Sequence, residues 1–303
     1  MNVDDAYRHC RAIAHEHGAN FSVGFRFLPR AKRRAVYAAY AFCRVADDIA
    51  DEPVDGWQSA VGGSDDDAPV SRQPPPDNRQ QRLDDWQREL DACYAGTPTH
   101  PITIALADAL QHFAIPKSAF VALIDGCRQD MVKTRYETFE ELLQYCELVA
   151  ASISDISLAI FGYRTDRAIE HGRSLAIALQ LTNVTRDIGD DLTRDRVYVP
   201  AAELRAFGVD ERELFARAEN ERVRKLVEFQ IDRARCYFEE AEPLLRELDF
   251  DARFPTLLMG GVYATVLEKL AKDPLIAVRR RLSLSPLQKV LVIGTRVLRP
   301  HFV

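Results

Sequence analysis

Two aspartate clusters are the residues best placed to do chemistry: Asp47, Asp48 and Asp51 in one, Asp187, Asp190 and Asp191 in the other. Positions four apart on a helix stand above one another, so Asp47 with Asp51 and Asp187 with Asp191 each put two carboxylates on one face. Such a pair repels itself unless a cation lies between its members. Hard oxygen ligands suit Mg²⁺, which keeps several waters and completes its shell with substrate phosphates. The simplest chemistry for two carboxylate pairs is a cavity that holds Mg²⁺-bound diphosphates.

The flanking residues sharpen this reading. Arg44 precedes the first pair by a turn, and Arg186 adjoins Asp187. Gln180, Asn183, Asp187 and Asp191 step by three, four and four, which is one helix stripe. That stripe is polar inside an otherwise apolar stretch from Leu175 to Val184. A solvated face would be richer in Lys and Glu and a core face would be apolar, so the stripe reads as the lining of a polar cavity. Ionising a diphosphate would need metal and cations against the leaving charge. Arg44 and Arg186 can hold phosphate oxygens in bidentate fashion. The carbocation that follows needs an apolar, aromatic wall, for which Phe21, Phe25, Tyr40 and Phe42 are candidates.

Three segments carry a family resemblance: Tyr40-Ala41-Phe42-Cys43-Arg44-Val45-Ala46-Asp47-Asp48-Ile49-Ala50-Asp51, then Gln180-Leu181-Thr182-Asn183-Val184-Thr185-Arg186-Asp187-Ile188-Gly189-Asp190-Asp191, then Arg196-Val197-Tyr198-Val199-Pro200. With these the chain resembles the squalene and phytoene synthases, the head-to-head prenyl synthases, from Phe21 to about Arg281. The resemblance implies an all-α fold, a single-domain isoprenoid-synthase helical bundle around a central cavity. It also implies three Mg²⁺ ions at Asp47, Asp51, Asp187 and Asp191, and two prenyl diphosphates joined at their first carbons through a cyclopropyl diphosphate. Catalytic roles are implied for Tyr40, Arg44, Tyr145, Asn183, Arg186, Tyr198 and Tyr263. Substrate contact is implied for Asn20, Phe21, Arg44, Gln180, Asn183, Arg186, Arg196 and Arg281, with Arg279 and Arg280 as alternatives to the last. Asp130 falls in a matching stretch as well.

The branch signals conflict. Asn20-Phe21 with Arg128-Gln129-Asp130 and Lys133-Thr134-Arg135-Tyr136 looks like bacterial hydroxysqualene synthases, whereas Thr182, Arg186 and Gly189 look like presqualene diphosphate and phytoene synthases. The expected reaction is condensation of farnesyl diphosphate toward a squalene-type precursor. The alternatives are a phytoene synthase acting on geranylgeranyl diphosphate and a hydroxysqualene synthase acting on presqualene diphosphate. No GxGxxG fingerprint indicates a Rossmann site, although squalene-forming relatives bind NADPH without one. A head-to-tail prenyl synthase or terpene cyclase would lack the paired second and third segments. A non-enzymatic helical factor would be expected to have lost its carboxylates.

The elements that must position these residues read as helices, with periodicity near 3.6 and little alternation. Pro29 opens the helix carrying Arg44 to Asp51 and Pro53 ends it. Further helices are predicted at 83–94, 102–113, 117–134, 139–161, 165–191, 202–207, 211–248 and 254–270. Between them, residues 55–82 turn to Gly, Ser, Asp and Pro and predict a polar insertion, Asp65-Asp66-Asp67 included, within one domain spanning 1–303. At 303 residues, 47% hydrophobic and 28% charged, the chain can bury a sizeable core. Its net charge of −6 argues against a nucleic-acid groove. Six cysteines without CxxC spacing predict reduced, mostly buried thiols in a cytoplasm. No signal peptide and no spanning run are visible. The segment 287–303 mixes apolar residues with Lys289, Arg296 and Arg299, which predicts peripheral contact with the inner face of the membrane. Prenyl diphosphates are the expected partners, and downstream isoprenoid enzymes are a further expectation.

Overall fold

The computed structural model describes residues 1–17, 22–52 and 77–285, and positions 287, 288, 291, 292, 294, 295, 301 and 302. Pro29 caps the Arg30–Asp51 helix, its ring fixing φ at −52°. Alanines dominate the buried face of that helix: Ala35, Ala38, Ala39, Ala41, Ala46 and Ala50. Alanine favours the helix and leaves room for neighbours to approach. The helices Val3–His17, Arg79–Tyr94, Pro101–Leu110, Lys117–Asp130 and Ser152–Phe161 pack against it. A second centre is the Arg167–Arg186 helix, covered by Glu221–Ala241, Ser152–Phe161 and Phe250–Lys272. The two central helices face each other across a cavity. No strand occurs among the described residues; isolated bridges join Arg135 to Val197 and Tyr163 to Leu248.

Several boundaries differ from the sequence expectation. The first helix beyond the insertion starts at Arg79 rather than 83, because Arg79 donates to the Ala50 carbonyl at 3.0 Å and closes the end of the Arg30–Asp51 helix. Helix 117–134 stops at Asp130, where the chain turns to pair with the Arg196–Val197 segment. Helix 165–191 breaks at Asp187, with φ −99° and ψ 8°, and resumes as Ile188–Asp191. The span 211–248 is three helices, Glu211–Phe215, Glu221–Ala241 and Leu244–Glu247. Arg217 adopts a left-handed conformation at the first break, and Pro243 opens the third helix. The last long helix extends to Phe250–Lys272 and includes Pro255.

Between Phe139 and Phe161 the chain is continuous but changes pitch: residues Glu147–Ala151 form a π-turn. This is the one span among the described residues long and apolar enough to cross a membrane by composition, and half of it is buried inside the fold. It walls the cavity through Val149, Ala150, Ile153 and Ser154. Residues 53–76, including Asp65-Asp66-Asp67, lie outside the described residues, as do Asn20 and Phe21. Cys10, Cys93, Cys127 and Cys146 are buried free thiols, while Cys236 is exposed.

Candidate active site

The cavity between the two central helices has a volume of about 350 Å³. Arg44, Asp47, Asp130, Tyr145, Gln180 and Asn183 gather at its polar end. Leu175, Leu179, Leu244, Leu248, Phe161 and Met259 form its apolar floor. On the Arg167–Arg186 helix, Gln180 and Asn183 mark the polar end, and Ala176 and Gly172 also line the cavity. At 1.5 Å per residue the eleven steps from Asn183 to Gly172 give a depth of about 16 Å. Gly172 is needed there, because a Cβ would stand 2.7 Å from the Ser154 hydroxyl and 2.8 Å from Leu158.

The first carboxylate pair lies on an intact helix. Arg44 bonds Asp47 at 3.0 Å and also pairs with Asp48. Asp51 pairs with Arg194 at 3.1 Å and Arg196 at 3.0 Å. Arg196 is delivered by the bridged segment, where the Val197 amide donates to the Thr134 carbonyl at 2.9 Å. Asp47 keeps 53% of its side-chain surface open. It nevertheless sits in a concave wall dense with protein atoms, and that desolvation, with Asp51 next, raises its pKa to about 6.

The second pair spans the helix break. The Asp187 amide still bonds the Asn183 carbonyl at 2.9 Å, and the Asp191 amide bonds the Asp187 carbonyl at 2.8 Å, so the four-residue stepping survives the kink. Asp187 takes a bidentate pair from buried Arg186 and is met by Arg281 at 3.1 Å. Desolvation, then Asp187, raises the pKa of Asp191 to about 7. Gly189 makes this arrangement fit, since a Cβ there would lie 2.6 Å from the Val278 carbonyl. The close approach brings the turn after Ile276–Arg279 against the cluster and presents Arg281 to Asp187. Of the three consecutive arginines, Arg279 instead pairs with Asp273 and Glu219.

Asp130 lies between the two clusters. It accepts from the Tyr145 hydroxyl at 2.6 Å and from the Tyr198 hydroxyl at 2.9 Å. Tyr145 and Tyr198 stack at 5.5 Å, and Tyr136 stacks on Tyr198 at 5.8 Å. Burial raises the pKa of Asp130, against its tyrosine hydrogen bonds and Arg196, and its charge in turn raises those of both Asp47 and Asp191. Tyr263 is buried and hydrogen-bonded by Asn183 and Arg186. Tyr40 lines the cavity, and desolvation pushes its hydroxyl up to about 12.

The structure brings the described catalytic, diphosphate-binding and metal candidates of the sequence-derived set together around this cavity and the two aspartate clusters. It corrects one aromatic candidate: Phe42 points away from the cavity, fully buried and stacked on Trp86 at 4.7 Å, whereas Phe25 and Tyr40 do line the wall. Sequence reasoning missed Arg194 and Tyr136. Arg194 could have been found from its three-residue step beyond Asp191; Tyr136 carries no signal without knowing that 134–136 pairs with Arg196 and Val197.

Among the described residues no group of three or more carboxylate, imidazole or thiolate side chains lies close enough to hold an ion by itself. Two buried polar atoms lack any protein partner, Asn183 Oδ1 and Arg44 Nε. An amide oxygen is a donor for a hard cation, and a guanidinium N–H is a donor to a phosphate oxygen. The donor set fits a metal diphosphate.

Fold and site together define a helical enzyme class that handles amphiphilic diphosphates, with charge at the mouth and hydrocarbon below. A family model described as squalene/phytoene synthase matches residues 14–288. The 15-cis-phytoene synthase of Synechocystis sp. is 33% identical over 310 residues, covering 98% of this chain and 86% of that protein. The 15-cis-phytoene synthase of Synechococcus elongatus is 32% identical, covering 98% and 94%. Among solved structures, a squalene synthase from Alicyclobacillus acidocaldarius is 30% identical with a TM-score of 0.77, over 89% of this chain and 95% of that one. The chain belongs to the squalene/phytoene synthase family, enzymes that transfer prenyl groups by head-to-head condensation of prenyl diphosphates.

Proposed function

We propose that the protein condenses two geranylgeranyl diphosphates through a cyclopropyl diphosphate to a phytoene-type hydrocarbon. The observation that carries the prenyl diphosphate reading is the single cavity with Arg44, Asp47, Gln180 and Asn183 at its mouth and an apolar floor about 16 Å below. The twenty-carbon substrate is supported by the phytoene synthases that match nearly the whole chain at about one-third identity. The comparisons thus favour this reading over the farnesyl diphosphate expected from the sequence. The farnesyl reading keeps the support of the 30% identical squalene synthase structure.

Asp47, Asp51, Asp187 and Asp191 would hold Mg²⁺, which supplies Lewis acidity and a clamp on departing diphosphate. Arg44, Arg186, Arg196 and Arg281 bind phosphate oxygens and spread the leaving charge. Asn183 and Gln180 orient the diphosphate at the mouth. The apolar walls exclude water, and the faces of Tyr40 and Phe25 stabilise positive charge on the allylic carbons. The first condensation releases one diphosphate and a proton as the cyclopropane closes. The second releases another diphosphate, and loss of a second proton ends the sequence without a reductant. The test is mass spectrometry of products from farnesyl and geranylgeranyl diphosphate with Mg²⁺, with and without NADPH. A forty-carbon hydrocarbon formed without NADPH supports the proposal. A thirty-carbon product alone returns the farnesyl reading, and no hydrocarbon from either substrate overturns both.

A further inference from the structure

The chain carries a net charge of −6, yet an open cleft of about 540 Å³ near its amino terminus is lined by six arginines and one aspartate. Two of these arginines are neutralised, Arg8 by Asp5 and Arg34 by Asp4. Among the described residues Arg26, Arg30 and Arg33 pair with no carboxylate, and Arg33 donates only to the Arg26 carbonyl at 3.1 Å. Arg11 and Arg26 come from different elements yet both bear on His15, lowering its pKa further after desolvation has done so. Concentrated like charge of this kind raises the free energy of the free protein and favours an anionic partner.

Next in sequence to Arg26, which lines the cleft, the chain exposes an aromatic ring. Phe27 is 51% exposed and meets Phe254 edge-to-face at 5.0 Å, and Phe250, one turn earlier on the same helix, is 81% exposed. Single exposed apolar residues are ordinary, but two exposed rings, Phe27 beside Arg26 and Phe250 joined to it through half-buried Phe254, adjoin the unpaired arginines, and the Asp249 and Asp251 that flank Phe250 are paired with Lys32, so the surface mixes apolar and cationic groups. A small free anion would use the arginines and leave the rings in water. A lipid surface uses both, because aromatic rings sit at the headgroup level and arginines reach lipid phosphates.

We propose that this face, centred on Arg26, Arg30, Arg33, Phe27 and Phe250, docks the protein on an anionic lipid bilayer. Its position ties docking to the cavity. Phe25, in the short helix Ser22–Phe25, lines the cavity, and its ring lies 6.2 Å from that of Tyr37, which lines the arginine cleft. Gly24 seats this helix, since a Cβ would stand 2.8 Å from the Pro255 carbonyl. One layer of rings thus separates the docked face from the site, so long-chain substrates and a hydrocarbon product have a short path to the bilayer. This benefit rests on the prenyl reading; the docking itself does not.

The test is co-sedimentation of the full chain, without substrate, with vesicles of phosphatidylcholine alone or with about one-third phosphatidylglycerol. The expected result is salt-sensitive binding to the anionic vesicles. It should fall about tenfold or more in the variant Arg26→Glu/Arg30→Glu/Arg33→Glu, since each cation near an anionic surface contributes about fivefold. Phe27→Ser/Phe250→Ser, at two exposed positions, should weaken binding while circular dichroism and melting stay unchanged. Lys289→Glu/Arg296→Glu/Arg299→Glu should bind as the parent does. Absence of binding by the parent chain, binding unaffected by both face variants, or loss only in the tail variant would each overturn the proposal. Because the readout is binding alone, failure here is distinguishable from failure of the condensation reading.

Discussion

Arg196 meets Asp51 at 3.0 Å, so the segment following the second aspartate cluster closes onto the last carboxylate of the first. The contact is half-buried, with 14% of the Arg196 side chain and 31% of that of Asp51 exposed, and Arg196 also donates to the Asp130 carbonyl at 3.3 Å. Arg196→Gln removes the cation that offsets Asp51 and Asp130. Turnover should fall by about tenfold or more, with a stability loss of about 1–2 kcal/mol in denaturant titration. An unchanged rate would show that Arg196 serves the fold alone.

Asp47 and Asp191 should make the metal-free protein less stable as pH rises from about 5 to 7, while His15 and His100, whose pKa values burial lowers, act in the opposite direction. Asp47 and Asp191 have pKa values of about 6 and about 7 against an ordinary 3.8, so the folded state holds their protons more tightly than the unfolded chain does. Their contribution is fully present below about 3.8 and is lost as pH rises through 6 and 7. Carboxylates with lowered values, such as Asp77 and Glu89 at about 2, are ionised in both states across this window and leave the slope unaltered. Mg²⁺ competes with those protons, so it should raise the melting temperature more at pH 8 than at pH 6, and turnover should climb through the same range. Equal Mg²⁺ shifts at both values would contradict ligation by these two aspartates.

Replacing three of the four motif aspartates should separate catalysis from folding. Asp47→Asn and Asp191→Asn relieve desolvation and like-charge repulsion, so the metal-free variants should melt at or above the parent temperature. Asp187→Ala removes the carboxylate paired with buried Arg186 and should cost about 2 kcal/mol or more. All three should lower turnover by about a hundredfold or more, a loss expected when charge stabilisation of the leaving group is removed. Melting curves and steady-state rates read both effects, and variants retaining most of their rate would return the residue to a structural role.

Gly189→Ala tests how Arg281 is placed. Its Cβ would lie 2.6 Å from the Val278 carbonyl and 3.1 Å from that of Ala277, neither of which is a flexible side chain. Relief requires the Ile276–Arg279 turn to shift, carrying Arg281 from Asp187. The expected outcome is a destabilisation of about 1–3 kcal/mol and a rate loss matching that of Arg281→Gln. Strict additivity of the two changes would show that Gly189 acts elsewhere.

The chemistry was legible because it depends on side-chain type at helical spacing: Asp47, Asp51, Asp187 and Asp191 could be paired from sequence alone. The helix carrying the first pair was legible at both ends because Pro29 and Pro53 mark them. What escaped prediction arises between segments distant in sequence. The close approach of Gly189 to the carbonyls of residues 277 and 278 is announced by no local pattern. Arg79 was read as part of a polar insertion because its partner, the Ala50 carbonyl, carries no sequence signature. Phe42 faces Trp86 rather than the cavity, a choice between two sides of one helix that composition leaves open.

Diphosphate release from geranylgeranyl diphosphate, followed with the parent chain and Asp47→Asn/Asp187→Asn at saturating Mg²⁺ and in excess chelator, asks the decisive question. The parent should release diphosphate together with a forty-carbon hydrocarbon only when Mg²⁺ is present, and the variant should release neither above background. Release that persists in chelator, or that survives loss of one aspartate from each cluster, would contradict ionisation by a metal held between the two carboxylate pairs.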